Sequence, residues 1–370
     1  MILNIDGRTI EPRPEQSLLE LIRQLGMDTE KLSTRPLAAK IAGEVFSLNY
    51  IPVRQKDADS DRTSIRRAMA ASNGQVRLLS YADDTGREVY TRTAQFVTFL
   101  ALHRLYPNAR AKMNCTVGSG LFIAVYGCKE FSVRALKAEI AKLVEMDIPL
   151  IRQRLTTQEA IARYSATGQD DKARLLSWRK EPYFDEYIFE DYGDYFYGEL
   201  APSTGYLKVW DIQQKDGGFM FIYPDDQDPD QVADYKESPH FFDMFSEGEK
   251  WGYLMECQTV ADLNELVDSG KIRELIRVNE ALHEKNYSKV ADMVCNRGAK
   301  AVMLAGPSSS GKTTSANRLS TQLRVHGKKP ILMSLDDYYF DRDKISKFPF
   351  KNVSINSIKP LDKHKENNTN

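Results

Sequence analysis

Nine consecutive residues carry the clearest chemistry in the chain: Gly306-Pro307-Ser308-Ser309-Ser310-Gly311-Lys312-Thr313-Thr314. The first eight fit G-x-x-x-x-G-K-[ST], a loop that cradles phosphate. Its glycines let backbone wrap closely around phosphate oxygens. The amides of Ser309 to Thr313 can point inward, and a helix starting there adds partial positive charge. Lys312 supplies a full charge to the outer phosphates, and the Thr313 hydroxyl is a ligand for Mg2+. The bland alternative is a Gly/Ser-rich turn with an exposed lysine. Farther on stands Asp336-Asp337-Tyr338-Tyr339. Carboxylates at the carboxyl end of a strand beside such a loop face the phosphate site. One can accept a proton from a substrate hydroxyl or support the metal's water shell. Either also fits a helix N-cap or a turn. The tyrosines fit stacking on a base or plain packing.

These residues need a scaffold. Ala301-Val302-Met303-Leu304-Ala305 reads as a buried strand running into the loop. Ala316, Leu319, Leu323 and Val325 predict a helix after it, stopped at Gly327. Ile331 to Leu335 reads as a second parallel strand, closing a βαβ unit. At the front, Leu3 and Ile5 open a strand, Asp6-Gly7 turns, and Ser17-Leu18-Leu19-Glu20 is a capping box. Gly26 ends that helix, and short apolar runs follow at 37–41 and 45–48. A helix is expected from Thr91 to Tyr106, a strand from Leu121 to Tyr126, and a helix capped by Ser132. Lys215-Asp216-Gly217-Gly218 signals a hairpin. Residues 181–200 hold eight aromatics and seven acids without Lys or Arg, which predicts packed aromatic strands with a solvated acidic face. Asp225 to Asp230 reads as a loop lacking the spacing of a calcium site. From Thr259 to Cys295 the pattern is helical, broken at Gly270.

The whole chain has 370 residues, 51 Lys+Arg against 52 Asp+Glu, and a net charge of −1. That excludes a protein-wide basic field for nucleic acid and leaves only a local patch. No apolar run reaches the roughly 20 residues of a membrane span. Four dispersed cysteines without a C-x-x-C pair predict neither a disulfide scaffold nor a zinc ribbon, and a cytoplasmic setting.

Three resemblances organise these pieces. Residues 1–56 resemble the β-grasp module called TGS. Residues 62–257 resemble the second additional domain of threonyl-tRNA synthetases, through Leu105-Tyr106-Pro107-Asn108-Ala109 and Gly118-Ser119-Gly120-Leu121-Phe122. That family's editing site uses an H-x-x-x-H pair where this helix has Arg92 to Phe96, so the resemblance implies a retained shape without the hydrolysis. The phosphate loop with Ser334-Leu335-Asp336-Asp337-Tyr338-Tyr339 resembles the uridine kinase/phosphoribulokinase family. It implies ATP-dependent phosphorylation of a nucleoside 5′-hydroxyl, with Asp336 as general base, Tyr339 near the nucleoside, Lys312 on phosphate and Thr313 on Mg2+. The expected fold is multidomain α/β and α+β, with a helical bridge at 258–298 and a partial kinase domain at 299–343. Residues 344–370, with six Lys, five Asn and no Gly, read as a disordered or aberrant tail, so impaired activity is expected. The competing reading is a non-catalytic nucleotide- or RNA-binding module. A GTPase is disfavoured, since no N/T-K-x-D motif occurs. Oligomeric state is not legible.

Overall fold

The chain divides into two compact units between Glu265 and Leu266, and the computed structural model describes residues 2–52, 71–237 and 239–335. The first unit opens with β1 (Leu3–Ile5) and β2 (Arg8–Ile10), an antiparallel hairpin turning through Asp6-Gly7. Helix α1 (Leu18–Gln24) starts on a complete capping box: the Ser17 hydroxyl accepts from the Glu20 amide, and the Glu20 carboxylate accepts from the Ser17 amide. Two orphan amides of the first turn are thereby satisfied. Strands β3 (Ala38–Ile41) and β4 (Glu44–Phe46) pair antiparallel. The fifth strand, β5 (Gln75–Leu79), lies beyond the polar stretch at 57–61. It slots between β1, to which it is parallel, and β3, to which it is antiparallel. The order is β2-β1-β5-β3-β4, and Leu18, Leu21 and Ile22 of α1 pack with Leu3, Ile5, Ile41 and Val76.

A long helix, α2 (Asp84–Leu105), follows. It begins seven residues before the predicted Thr91, because its first turn is polar and carries no apolar period. Asp83 organises that start, its carboxylate accepting from the Ser80 amide at 3.0 Å and pairing with Arg77. Gly86 is required there: a Cβ would lie 1.8 Å from the Ser80 carbonyl oxygen. Next come β6 (Arg110–Val117), β7 (Gly120–Tyr126), and α3 (Val133–Glu145), capped by Ser132 as expected. Strand β8 (Arg152–Thr156), helices α4 (Thr157–Ala166) and α5 (Asp170–Ser177), and strands β9 (Tyr183–Phe189) and β10 (Tyr192–Asp194) form a small sheet, order β10-β9-β8, with two helices. Hairpin β11 (Asp211–Lys215) and β12 (Gly218–Ile222) joins β7 and β6 in a four-stranded antiparallel sheet, order β11-β12-β7-β6. One core runs through Leu37, Leu79, Val89, Phe96, Leu100, Ile123, Leu136, Ile140, Tyr187 and Phe219. Helix α6 (Pro239–Leu254) follows, and the division between the units falls within α7 (Val260–Asp268). All four cysteines are free thiols.

In the second unit, α8 (Ile272–Asn296) and α9 (Lys312–Val325) pack together. The Tyr287 and Ser315 hydroxyls are bonded at 3.0 Å, and Arg318 pairs with Glu284 at 2.9 Å. Here the expected βαβ unit is corrected. Neither 301–305 nor 331–335 is a strand. Met303 is 96% and Ile331 85% exposed. A short apolar run becomes a strand only when neighbours pair its amides, and among the described residues none does so. The tail at 344–370 lies outside the described residues. No described helix is long and apolar enough to cross a membrane.

Candidate functional site

The predicted phosphate loop keeps its local turn although its flanking strands are not formed. Helix α9 starts at Lys312, directly after Gly311 in the left-handed region at φ +80°. Ser309 also has positive φ, at +60°, a conformation that costs a non-glycine residue about 1 kcal/mol. The Lys312 ammonium folds back over the loop and donates to the Pro307 carbonyl at 2.7 Å. Gly306 lies beneath it, where a Cβ would come within 2.8 Å of the Ser310 hydroxyl. Gly306 to Ser310, Thr313 and Thr314 are exposed. The arrangement gathers one ammonium, several hydroxyls and the free amides of a helix N-terminus on an open surface, a donor set suited to phosphate oxygens. Asp336, Asp337 and Tyr339 lie outside the described residues, so the structure does not place them against the loop.

A second feature escaped the sequence reading because it hides in the average. Residues 1–265 hold 32 Lys+Arg against 41 Asp+Glu, a net of −9. Residues 271–335 hold 12 against 4, a net of +8. The signal was present in the composition, once taken by segment.

In the first unit, one side of α2 lines an open cleft of about 310 Å³ with Asp84, Arg87, Glu88, Thr91, Arg92 and Gln95. Its charges are internally matched. Arg87 pairs with Asp84, and Arg92 with Glu88 at 3.4 Å. The Arg92 Nε also donates to the Glu199 carbonyl at 3.2 Å. His103 near the helix end is bound to Asp191 at 3.2 Å. Among the described residues no group of three or more His, Cys, Asp or Glu is placed to hold a metal.

The acidic aromatic stretch differs from its expectation. Its aromatics do pack: Phe96 of α2 meets Tyr187, Tyr192 and Phe196. Three of its acids are buried instead of forming a solvated face, because cations from outside the stretch reach them. Glu186, with a side chain 0% exposed, has Arg163 at 3.1 Å. Asp194 has Lys172 at 2.7 Å and Glu199 has Arg152 at 3.1 Å. Burial raises the Glu186 pKa above the ordinary carboxylate value, while the Arg154 guanidinium holds Asp185 below it.

Comparison with known proteins places the likeness in the front of the chain. A threonine–tRNA ligase of Symbiobacterium thermophilum is 26% identical over 225 residues, 58% of this chain and 30% of the relative. Those of Syntrophomonas wolfei and Clostridioides difficile are 23% and 24% identical over 218 residues, 58% of this chain and 31% of each relative. The match lies in the N-terminal part, and the chain spans about 30% of the length of these curated relatives. No family model matches. The uridine-kinase resemblance, and with it the nucleoside substrate and phosphotransferase activity, is therefore corrected: the relatives are tRNA ligases, and the strands that would carry a kinase sheet are not formed.

Proposed function

We propose that the chain is a binding protein for tRNA-like RNA, with a front unit shaped like the additional region of a threonine–tRNA ligase. The observation that carries this is the 225-residue match to a protein named for tRNA ligation. The parallel β1–β5 pair at the centre of a five-stranded sheet supports reading the first strands as a β-grasp module of the TGS kind.

The same reading assigns Gly306 to Thr314 to a phosphate group, that of ATP in the simplest case. The Pro307 carbonyl now held by Lys312 is a weaker partner for an ammonium than a phosphate oxygen. Thr313 would hold Mg2+, which supplies charge neutralisation for a triphosphate when bound.

The test is fluorescence anisotropy of a labelled tRNA transcript with the whole chain at 50 mM salt. Binding at about micromolar Kd or tighter is expected, as for a non-specific nucleic-acid binder or better. No anisotropy change up to 100-fold above that, roughly 10⁻⁴ M, removes the RNA reading. A parallel ATP titration expects Lys312→Ala to weaken binding about tenfold or more, since a charge-assisted bond exceeds about 1.4 kcal/mol. Equal ATP binding by both proteins removes the loop assignment alone.

A further inference from the structure

We infer that the second unit, and not the ligase-like one, is the electrostatic anchor for RNA, gripping its phosphate backbone. This rests on the RNA-binding reading above and goes beyond it, because the matched tRNA ligases align with the other part of the chain.

The charge divides unevenly. The ligase-like unit carries −9 over residues 1–265 and repels a polyanion at long range, whereas residues 271–335 carry +8. Little of that positive charge is neutralised within the fold. Arg318 is paired with Glu284 and Lys312 is turned onto the Pro307 carbonyl. The other ten cations are exposed: Lys271, Arg273, Arg277, Lys285 and Lys289 on or beside α8, Arg297 and Lys300 after it, and Arg324, Lys328 and Lys329 at the end of α9. None of the ten has a carboxylate within salt-bridge distance among the described residues. Arg273 and Arg277, and Lys285 and Lys289, are i,i+4 pairs, so each pair stands on adjacent turns of α8. Like charges at that spacing repel and destabilise a helix. A polyanion that follows the helix relieves that repulsion by replacing its condensed counterions with these ammonium and guanidinium groups.

The composition also says which feature of the partner is read. Residues 271–335 contain no Trp or Phe and one Tyr, Tyr287, and that hydroxyl is bonded to Ser315 inside the helix pair. Stacking on bases needs exposed rings. An interfacial membrane helix draws on Trp, Phe and Leu for its apolar face; α8 has no Trp or Phe, and its exposed apolar residues are the scattered Ile276, Val290 and Met293. A surface of lysines and arginines without rings fits the backbone of RNA, with little preference for its sequence.

The experiment compares the whole chain with three variants of it, each binding a labelled tRNA transcript between 50 and 200 mM salt. In the first variant Arg273, Arg277, Lys285 and Lys289 become Gln. In the matched control the exposed first-unit residues Lys129, Arg134, Lys180 and Lys208 become Gln. Each phosphate contact adds about 0.7 to 0.9 to the log–log salt slope, so wild type should lose roughly 50- to 150-fold more affinity over that range than the α8 variant. The control should keep the wild-type slope. A second variant, Lys328→Gln with Lys329→Gln, lies beyond the last turn of α9 and leaves both helices untouched. It should lower the slope by roughly 1.4 to 1.8. An unlabelled RNA hairpin of unrelated sequence and equal length should compete as well as tRNA. If tRNA binds and all variants keep the wild-type slope, this inference fails while the RNA reading stands. If only the control loses slope, the anchor is the ligase-like unit. If the hairpin does not compete, bases are read and the backbone assignment fails. Co-sedimentation with phosphatidylserine vesicles, without any tRNA shift, overturns both readings in favour of a membrane surface.

Discussion

Truncating Phe96 tests whether the ligase-like unit is built as described. The ring sits in α2 with no solvent exposure. Its centroid lies 6.3 Å from Tyr187, 5.9 Å from Tyr192 and 6.4 Å from Phe196. It therefore ties the helix that lines the polar cleft to β9, β10 and the loop after them. Phe96→Ala removes the ring and leaves a cavity that the surrounding rings cannot fill without leaving their rotamers. Such changes cost about 3–5 kcal/mol. Aromatic pairs contribute about 0.5–1.5 kcal/mol each beyond area, which puts this site toward the upper end. Phe96→Leu keeps most of the volume and should cost about 1.5 kcal/mol. All three tryptophans, Trp178, Trp210 and Trp251, lie in this unit, and Trp210 stacks on Phe221 at 6.0 Å. Urea unfolding followed by tryptophan fluorescence thus reports on this unit. With a slope near 3 kcal/mol/M, the midpoint of Phe96→Ala should fall by roughly 1–1.7 M at unchanged slope. A loss under about 1 kcal/mol, well below the usual range for a buried ring, would refute the packing around Phe96.

Three further outcomes follow from named contacts. Ser17→Ala removes the capping-box acceptor of α1 and should destabilise the first unit by about 1 kcal/mol, read in the same urea experiment. Glu186→Gln should show a pH-dependent difference from wild type. The buried Glu186 has a raised folded pKa, so its contribution is most favourable below the unfolded carboxylate pKa and is lost as pH rises through the folded value. Wild type should therefore lose stability relative to Glu186→Gln between acid and neutral pH; an unchanged difference contradicts the burial. Asp185 behaves oppositely. Arg154 lowers its pKa, so the Asp185→Asn penalty should be full above the unfolded pKa and shrink as pH falls. A penalty that stays constant down to acid pH contradicts that ion pair.

Much of the first unit was legible because its signals are local. The Ser17 and Ser132 caps, the Asp6-Gly7 turn and the hairpin at Lys215 to Gly218 each fix a few dihedrals through neighbouring residues, and each appears in the structure. Long-range facts were not legible. The centre strand β5 is five residues with a weak alternation, and it gains its place from β1 and β3, far away in sequence. The buried acids of β9 and β10 depend on Arg163, Lys172 and Arg152, which lie outside the stretch that was read. The phosphate loop was legible as a turn onto α9. The inference from that turn to a kinase sheet failed, because the motif specifies the bend and not the partners that make 301–305 and 331–335 strands. The net charge of −1 concealed two opposite units until it was taken by segment.

Hydrogen–deuterium exchange of the whole chain, with and without a saturating tRNA transcript, tests RNA binding and its place most directly. Slower exchange is predicted in α8 and in the last turn of α9, and not in the ATP-assigned 306–314 loop. Exchange that is identical with and without tRNA at every amide would contradict it.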